Sequence, residues 1–106
     1  MISFEDFKQL GLRIAEVVEV SDHPNADKLY VLKILVGDET KQIVAGIRSS
    51  YDKEALKGKK IVVINNLEPV NIRGEESNGM LLAADDNGTP VILMPERDVP
   101  SGSQIK

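Results

Sequence analysis

Basic, amide and hydroxyl side chains lie scattered among the apolar segments of this chain, and their chemistry suits binding. Lys and Arg contact phosphates, whereas Asn and Ser hydrogen-bond to base edges and to 2′-hydroxyls. Such a set favours a nucleic-acid-binding face, although ordinary solvated surface explains any single member equally well. The residues are Asn25, Lys28, Lys33, Arg48, Asn66, Asn71, Arg73, Ser77 and Asn78.

Aromatic side chains are too few for a stacking platform of the kind that binds single strands. They make up 4% of the chain, namely Phe4, Phe7, Tyr30 and Tyr51. Any RNA is therefore expected to be folded and to be recognised through shape and backbone rather than through splayed bases.

Residues for catalysis or metal binding are scarce. The chain has no cysteine and a single histidine, His23, whose place before Pro24 in a turn suits hydrogen bonding to backbone better than ligation. Adjacent carboxylates at 75–76 and 85–86 lie in predicted loops, where exposure to solvent is the ordinary explanation. We predict no catalytic residue, no metal site and no cofactor.

The composition predicts one domain that is neither secreted nor inserted in a membrane. The chain has 106 residues, 42% of them hydrophobic, and the acidic, mixed N-terminus is unlike a signal peptide. A cytoplasmic location is expected. The net charge of −4 requires any RNA site to be a local cationic patch.

Apolar alternation and turn residues predict five strands, with a short helix between the third and the fourth. The strands are predicted at 12–20, 29–36, 41–45, 60–65 and 80–84, and the helix at 52–56. In the first strand, one face is predicted to carry Leu12, Ile14, Val18 and Val20. This order is typical of an all-β, five-stranded OB-fold barrel.

Two extensions flank the predicted barrel. We divide the single domain 1–106 into an N-terminal helical extension at 1–10, the barrel at 11–84 and a C-terminal β extension at 85–106. In the latter, a hairpin turn at 85–88 precedes a strand at 91–94. The extensions either pack on their own barrel or meet in a homodimer, through Phe4, Phe7, Val91, Ile92, Leu93 and Ile105.

Three stretches together resemble a known family. They are HPNADKL at 23–29, IVAGI at 43–47, and NLEP at 66–69 continuing into IRGEESNGMLLAA at 72–84. They resemble the tRNA-binding domain found at the C-terminus of many methionyl-tRNA synthetases. That domain also occurs alone as a structure-specific tRNA-binding protein, and in a branch described as a protein-export chaperone.

The resemblance implies a homodimeric OB barrel, without catalytic activity, that binds the body of tRNA and assists a methionyl-tRNA synthetase in cis or in trans. Lys28, Lys33 and Arg73 are expected to contact phosphates. Asn25 and Ser77 would supply hydrogen bonds, and Met80 a flexible apolar contact. The full predicted set is Asn25, Lys28, Lys33, Arg48, Asn71, Arg73, Ser77 and Met80.

The sequence departs from the family pattern by losing positive charge. Glu68 and Asn71 stand where many members have lysine, and Ser49 stands where a basic residue is common. Weak binding to tRNA is therefore expected at physiological salt. The alternative of a peptide-binding export chaperone on the same fold stays open.

Overall fold

Nine strands and two short helices follow one another in the computed structural model, which describes all residues 1–106. They are α1 Phe4–Lys8, β1 Leu12–Asp22, β2 Tyr30–Val36, β3 Glu39–Ala45, α2 Lys53–Leu56, β4 Lys60–Ile64, β5 Val70–Ile72, β6 Glu75–Ser77, β7 Met80–Leu81, β8 Ala83–Asp86 and β9 Thr89–Ile92. Neither helix has the length and apolar content needed to cross a membrane.

Five strands form one curled antiparallel sheet in the order β3-β2-β1-β4-β7. The short helix α2 lies between β3 and β4 in the chain, as predicted, and the five-stranded OB-like fold is confirmed. Its concave side encloses a core in which Leu32, Ile34, Ile43, Ile61 and Val63 are almost completely buried. Alternate residues of each strand supply this core, because successive side chains of a strand point to opposite faces.

A β-bulge in β1 makes the side-chain pattern of that strand differ from the predicted one. The register shifts between Val17 and Glu19, which leaves Val18 partly exposed. Ala15 and Val17 enter the core and Val20 packs against it, whereas Leu12 and Ile14 are buried outside that cluster. The prediction that Val20 shares a face with Leu12 and Ile14 is wrong, because the extra residue of the bulge reverses the alternation beyond Val18 and turns Val20 to the face of Ala15 and Val17.

The segment between β4 and β7, predicted as a loop, contains the small hairpin β5–β6. The predicted fifth strand is shorter than expected, since β7 ends at Leu81 and Ala83 already begins β8. The predicted hairpin at 85–88 is confirmed around Asn87 and Gly88, but its return strand β9 is Thr89–Ile92 rather than 91–94. Ile92 is buried in the barrel core, so this residue stabilises its own barrel.

Between β3 and β7 the barrel is joined by single hydrogen bonds. The Val44 N–H donates to the Ser77 hydroxyl oxygen at 3.0 Å, and that hydroxyl donates to the Gly79 carbonyl at 3.0 Å. The Asn78 N–H donates to the Gln42 carbonyl at 2.8 Å. Because Ser77 ends β6, these bonds also fix the base of the β5–β6 hairpin.

The N-terminal helix is capped and then fixed to the barrel. Ser3 and Asp6 form a capping box at its start, as their spacing indicates. At its end, the Asn66 side chain accepts from the Gly11 N–H at 2.7 Å and donates to the Gln9 carbonyl at 2.8 Å. Asn66, one of the candidate binding residues, is therefore engaged in holding the helix. Phe4 remains largely exposed.

The C-terminal strap, residues 100–105, runs along the edge of β1. The Ile14 N–H donates to the Ser103 carbonyl at 2.9 Å, and the Gly102 N–H donates to the Ile14 carbonyl at 2.7 Å. The Ser101 hydroxyl accepts from the Gly37 N–H at 3.1 Å and donates to the Leu35 carbonyl. This part of the extension folds back on its own barrel.

Gly102 should tolerate no side chain, for two separable reasons. Its φ of +90° is left-handed, and a Cβ there would lie 2.8 Å from the backbone of Gly37. Gly88 has a φ of +91° with nothing within 4 Å, so Gly88→Ala isolates the conformational cost of about 1–2 kcal/mol. We expect Gly102→Ala to lower the free energy of unfolding by about 1–3 kcal/mol more, measured by urea unfolding. Equal losses of unfolding free energy in Gly102→Ala and Gly88→Ala would show that the strap can move away from Gly37 without cost.

Ser77 should matter for stability because its hydroxyl is buried and has two backbone partners. Ser77→Ala is expected to lower the free energy of unfolding by about 1–3 kcal/mol and to speed amide exchange at Val44. Ser49→Ala is the matched control, since Ser49 is exposed and its change should stay within about 0.5 kcal/mol. Unchanged protection of the Val44 amide against hydrogen exchange would contradict this role of Ser77 between β3 and β7.

Candidate nucleic-acid interface

The loop between β1 and β2 is hydrogen-bonded to the tip of the β5–β6 hairpin. His23 is 3% exposed, and its Nδ1 accepts from the Asn25 N–H at 2.9 Å. Its Nε2 lies 2.8 Å from the Ile72 carbonyl oxygen, to which it donates, because Nδ1 is already an acceptor. The Asn25 side chain donates to the Arg73 carbonyl at 3.2 Å. We call these two cross-links, from His23 to Ile72 and from Asn25 to Arg73, the clasp.

The clasp brings two exposed cations to one cleft. The cleft is lined by Ala26, Asp27, Lys28, Leu29 and Arg73. Lys28 and Arg73 are exposed, and neither side chain is held in an ion pair or hydrogen bond. These are also the two loop regions through which OB folds bind oligonucleotides.

Arg73 occupies a backbone conformation that arginine rarely adopts. It has a φ of +53° and precedes Gly74 with a φ of +100°, as a two-residue type I′ hairpin turn requires. The β8–β9 hairpin uses Asn87, φ +50°, and Gly88 at the same two positions. Asn is a preferred residue there, whereas arginine is strained. Observed strain of this kind is characteristic of functional positions.

Asn71 belongs to the same turn. Its side-chain oxygen accepts from the Gly74 N–H at 2.9 Å. In the β8–β9 hairpin, the side-chain oxygen of Asp85 accepts from the Gly88 N–H at 2.8 Å in the same way. The Asn71 oxygen therefore supports the turn, while its amide N–H groups stay available at the surface.

Arg48 lies beside the cleft but is partly neutralised. Its guanidinium donates to the Ala26 carbonyl at 3.3 Å and lies 3.4 Å from the Asp22 carboxylate. Lys53 approaches the same carboxylate at 3.3 Å. Asp22 thus holds two cations near the loop that carries Lys28.

Lys33 lies on the convex face of β2, away from the core residues of that strand. Its Nζ donates to the Gln42 side chain at 2.6 Å, and Glu19 is its partner across β1. Gln42 in turn donates to the Glu76 carbonyl at 2.9 Å. Lys33 is therefore half-buried in a polar network on this face.

Ser77 and Met80 lie apart from the cleft. Ser77 is buried with its hydroxyl fully engaged, so the expectation that this hydroxyl reaches an RNA does not fit its position. Met80 is 46% exposed and, contrary to a purely core role, borders an open apolar groove. The other lining residues of that groove are Val44, Ala45, Gly46, Ile47, Leu81, Ala83 and Pro90.

Sequence reasoning missed the part that His23 plays at this site. The turn formers around it predicted backbone hydrogen bonding, which the structure confirms for Asn25. Nothing in the local sequence indicates the partner at Ile72, 49 residues away. The described residues assemble no group of three or more potential metal ligands.

Comparisons with known proteins agree with this architecture. The family described as "Putative tRNA binding domain" matches residues 12–104. Methionine–tRNA ligase of Thermococcus kodakarensis is 50% identical over 105 residues, which are 99% of this chain and 14% of the ligase. The chain thus spans a small part of the curated relatives that it matches.

Two solved structures superpose over the whole chain. The MetRS-related protein of Pyrococcus horikoshii has a TM-score of 0.93 and 28% identity, with 100% of this chain and 98% of that chain covered. The chaperone CsaA of Bacillus anthracis has a TM-score of 0.92 and 33% identity, with 100% and 99% covered. The chain therefore belongs to the tRNA-binding domain family that also forms part of methionine–tRNA ligases.

Proposed function

We propose that this chain is a non-catalytic module that binds folded tRNA through the clasped cleft. One observation carries the proposal: a strained Arg73 is held at a hairpin tip beside Lys28, and both side chains are free for a ligand. Two free cations on a common cleft suit phosphates of an RNA backbone. The single imidazole of the chain has both nitrogens engaged with backbone, which suits a structural rather than a catalytic use.

The relatives support a partnership with a synthetase. The methionine–tRNA ligase of Thermococcus kodakarensis contains a region that is 50% identical to this chain and makes up 14% of the ligase. We infer that the chain assists a methionyl-tRNA synthetase catalytic chain, in cis or in trans, in the cytoplasm where such enzymes charge tRNA.

The proposed contacts are graded by how free each side chain is. Lys28 and Arg73 are expected to contact phosphates directly. Asn25 and Asn71 can donate from amide groups at the cleft, although each also has a structural partner. Arg48 and Lys33 would first have to loosen partners at 3.4 Å and 2.6 Å. Met80 offers an apolar contact next to the groove that it borders.

A second candidate function is the binding of extended polypeptide. The chain spans 99% of the chaperone CsaA of Bacillus anthracis, and the groove beside Met80 is open and mostly apolar. A peptide could lie in such a groove through apolar contacts and backbone hydrogen bonds. A binding assay should therefore include an unfolded polypeptide as competitor.

A homodimer is also proposed, built through the apolar side chains that the extensions leave uncovered. Phe4 is 70% exposed, and Val91, Leu93 and Met94 are between 42% and 52% exposed. Ile92, by contrast, belongs to the barrel core, and Ile105 lies half-buried in the strap. The proposed contact is therefore narrower than the two whole extensions. Two tRNA sites of modest affinity in one dimer would raise the overall affinity, because the second site binds intramolecularly once the first is occupied.

The tRNA proposal predicts a distinct loss for each free cation. Lys28→Ala and Arg73→Asn should each weaken binding of labelled bulk tRNA about five- to tenfold. Each should also lower the slope of log affinity against log salt by about one unit. Arg73→Asn keeps a turn-compatible residue, so the free energy of unfolding should be retained or raised. Fluorescence titration at several salt concentrations, with urea unfolding alongside, measures all three quantities.

Lys57→Ala is the matched control for the two variants. Lys57 is exposed, lies after α2 and makes no side-chain ion pair, so tRNA affinity and salt slope should not change. Loss of affinity in the control equal to that in Lys28→Ala would indicate diffuse attraction instead of a site. If polypeptide binds and tRNA fails even at low salt, the tRNA proposal is wrong and the peptide alternative replaces it.

The dimer proposal predicts that one exposed leucine controls assembly. Leu93→Asp should convert a dimer to a monomer in sedimentation experiments, because a charge would be buried at the apolar contact. Val70→Asp, on the β5–β6 hairpin, changes an equally apolar exposed side chain away from the extensions and should leave the dimer intact. A wild-type chain that sediments as a monomer at micromolar concentration would refute the dimer.

A further inference from the structure

The clasp is built by two side chains that reach 49 and 48 residues along the sequence. They bind the carbonyls of Ile72 and Arg73, which are consecutive residues at the tip of the β5–β6 hairpin. A hairpin with strands of three residues is marginal by itself. Its base is fixed by Ser77, and its tip by the clasp.

We propose that His23 is a positioning residue for tRNA recognition. It holds the hairpin tip so that the Arg73 guanidinium meets the same stretch of RNA backbone as Lys28. His23 itself is 3% exposed and does not touch the ligand. The inference rests on the proposed function and deepens it, because it states why two cations from distant parts of the chain act together.

Arg73 gives the reason why positioning is needed. Its left-handed backbone, φ +53°, is strained for arginine, so a free tip would relax towards other conformations. Anchoring the carbonyls of Ile72 and Arg73, which belong to the peptide groups on either side of the Arg73 Cα, opposes that relaxation. A side chain that is already placed loses less conformational freedom when it binds, which raises affinity.

The two nitrogens of His23 can be tested separately with amides. Asn at position 23 places an oxygen where Nδ1 lies, so it can still accept from the Asn25 N–H but cannot reach Ile72. Gln places an N–H donor as many bonds from the backbone as Nε2, so it can still donate to the Ile72 carbonyl. His23→Asn therefore keeps the local turn, and His23→Gln keeps the cross-link.

The experiment measures tRNA affinity for this pair of variants. If His23 acts through the hairpin, His23→Gln should bind within about twofold of wild type, whereas His23→Asn should lose about fivefold. A role confined to the local turn predicts the reverse order. Circular dichroism and urea unfolding verify that both variants are folded under the assay conditions.

A double-mutant cycle with Arg73→Asn separates positioning from general destabilisation. In the His23→Asn background, Arg73→Asn should lower tRNA affinity by less than about twofold, since the mispositioned arginine no longer contributes. Lys57→Ala, Arg73→Asn and their combination provide an additive reference. A merely structural role for His23 would leave the Arg73 effect undiminished.

Several results would overturn the proposal. They are equal affinities for the two His23 variants, a stronger loss for His23→Gln, or additivity with Arg73→Asn. If His23→Asn fails to fold, Asn25→Ala takes its place, because it removes the exposed second cross-link and must show the same non-additivity with Arg73→Asn. When Lys28→Ala and Arg73→Asn themselves leave tRNA affinity unchanged, the proposed function fails, and not the positioning role alone.

Discussion

The hydroxyl of Ser77 is the contact on which barrel and site both depend. The sheet leaves β3 and β7 without a ladder between them, and Ser77 joins the Val44 amide to the Gly79 carbonyl across that gap. The same residue ends β6, so closing the barrel also sets the root of the hairpin that carries Arg73. Burial of this hydroxyl is tolerable because both of its hydrogen-bonding roles are filled.

The net negative charge of the chain is compatible with RNA binding because the ion pairs leave two cations free at the cleft. Asp22 draws Arg48 and Lys53 together, and Lys60 is paired with Asp98 on another part of the surface. What remains free at the cleft is Lys28 and Arg73. In the proposed complex, few free cations would release few counterions, so specificity would come from where these two lie rather than from total charge.

Local sequence signals predicted the elements that local chemistry determines. The N-terminal helix, the hairpin at Asn87 and the short helix between β3 and β4 all depend on residues close in sequence. The roles of Asn66 and Ser77 depend on partners between 33 and 57 residues away. The bulge at Val18 depends on pairing with β2, and the β5–β6 hairpin is held at its tip by the loop between β1 and β2. Side-chain type marked Asn66 and Ser77 as candidate binding residues. It did not indicate whether each side chain is free for a ligand or is hydrogen-bonded to the backbone.

The β5–β6 and β8–β9 hairpins differ in the residue that fills the first central position of the same turn. Both have positive φ at two central residues and an Asx oxygen that accepts from the glycine N–H. Asn87 fills the first central position where the turn only reverses the chain. Arg73 fills it where the tip lies beside Lys28, and the clasp supplies the restraint that an arginine needs in that conformation. A residue chosen for its turn alone would be Asn, so the phosphate contact that we propose for the guanidinium accounts for the arginine at this position.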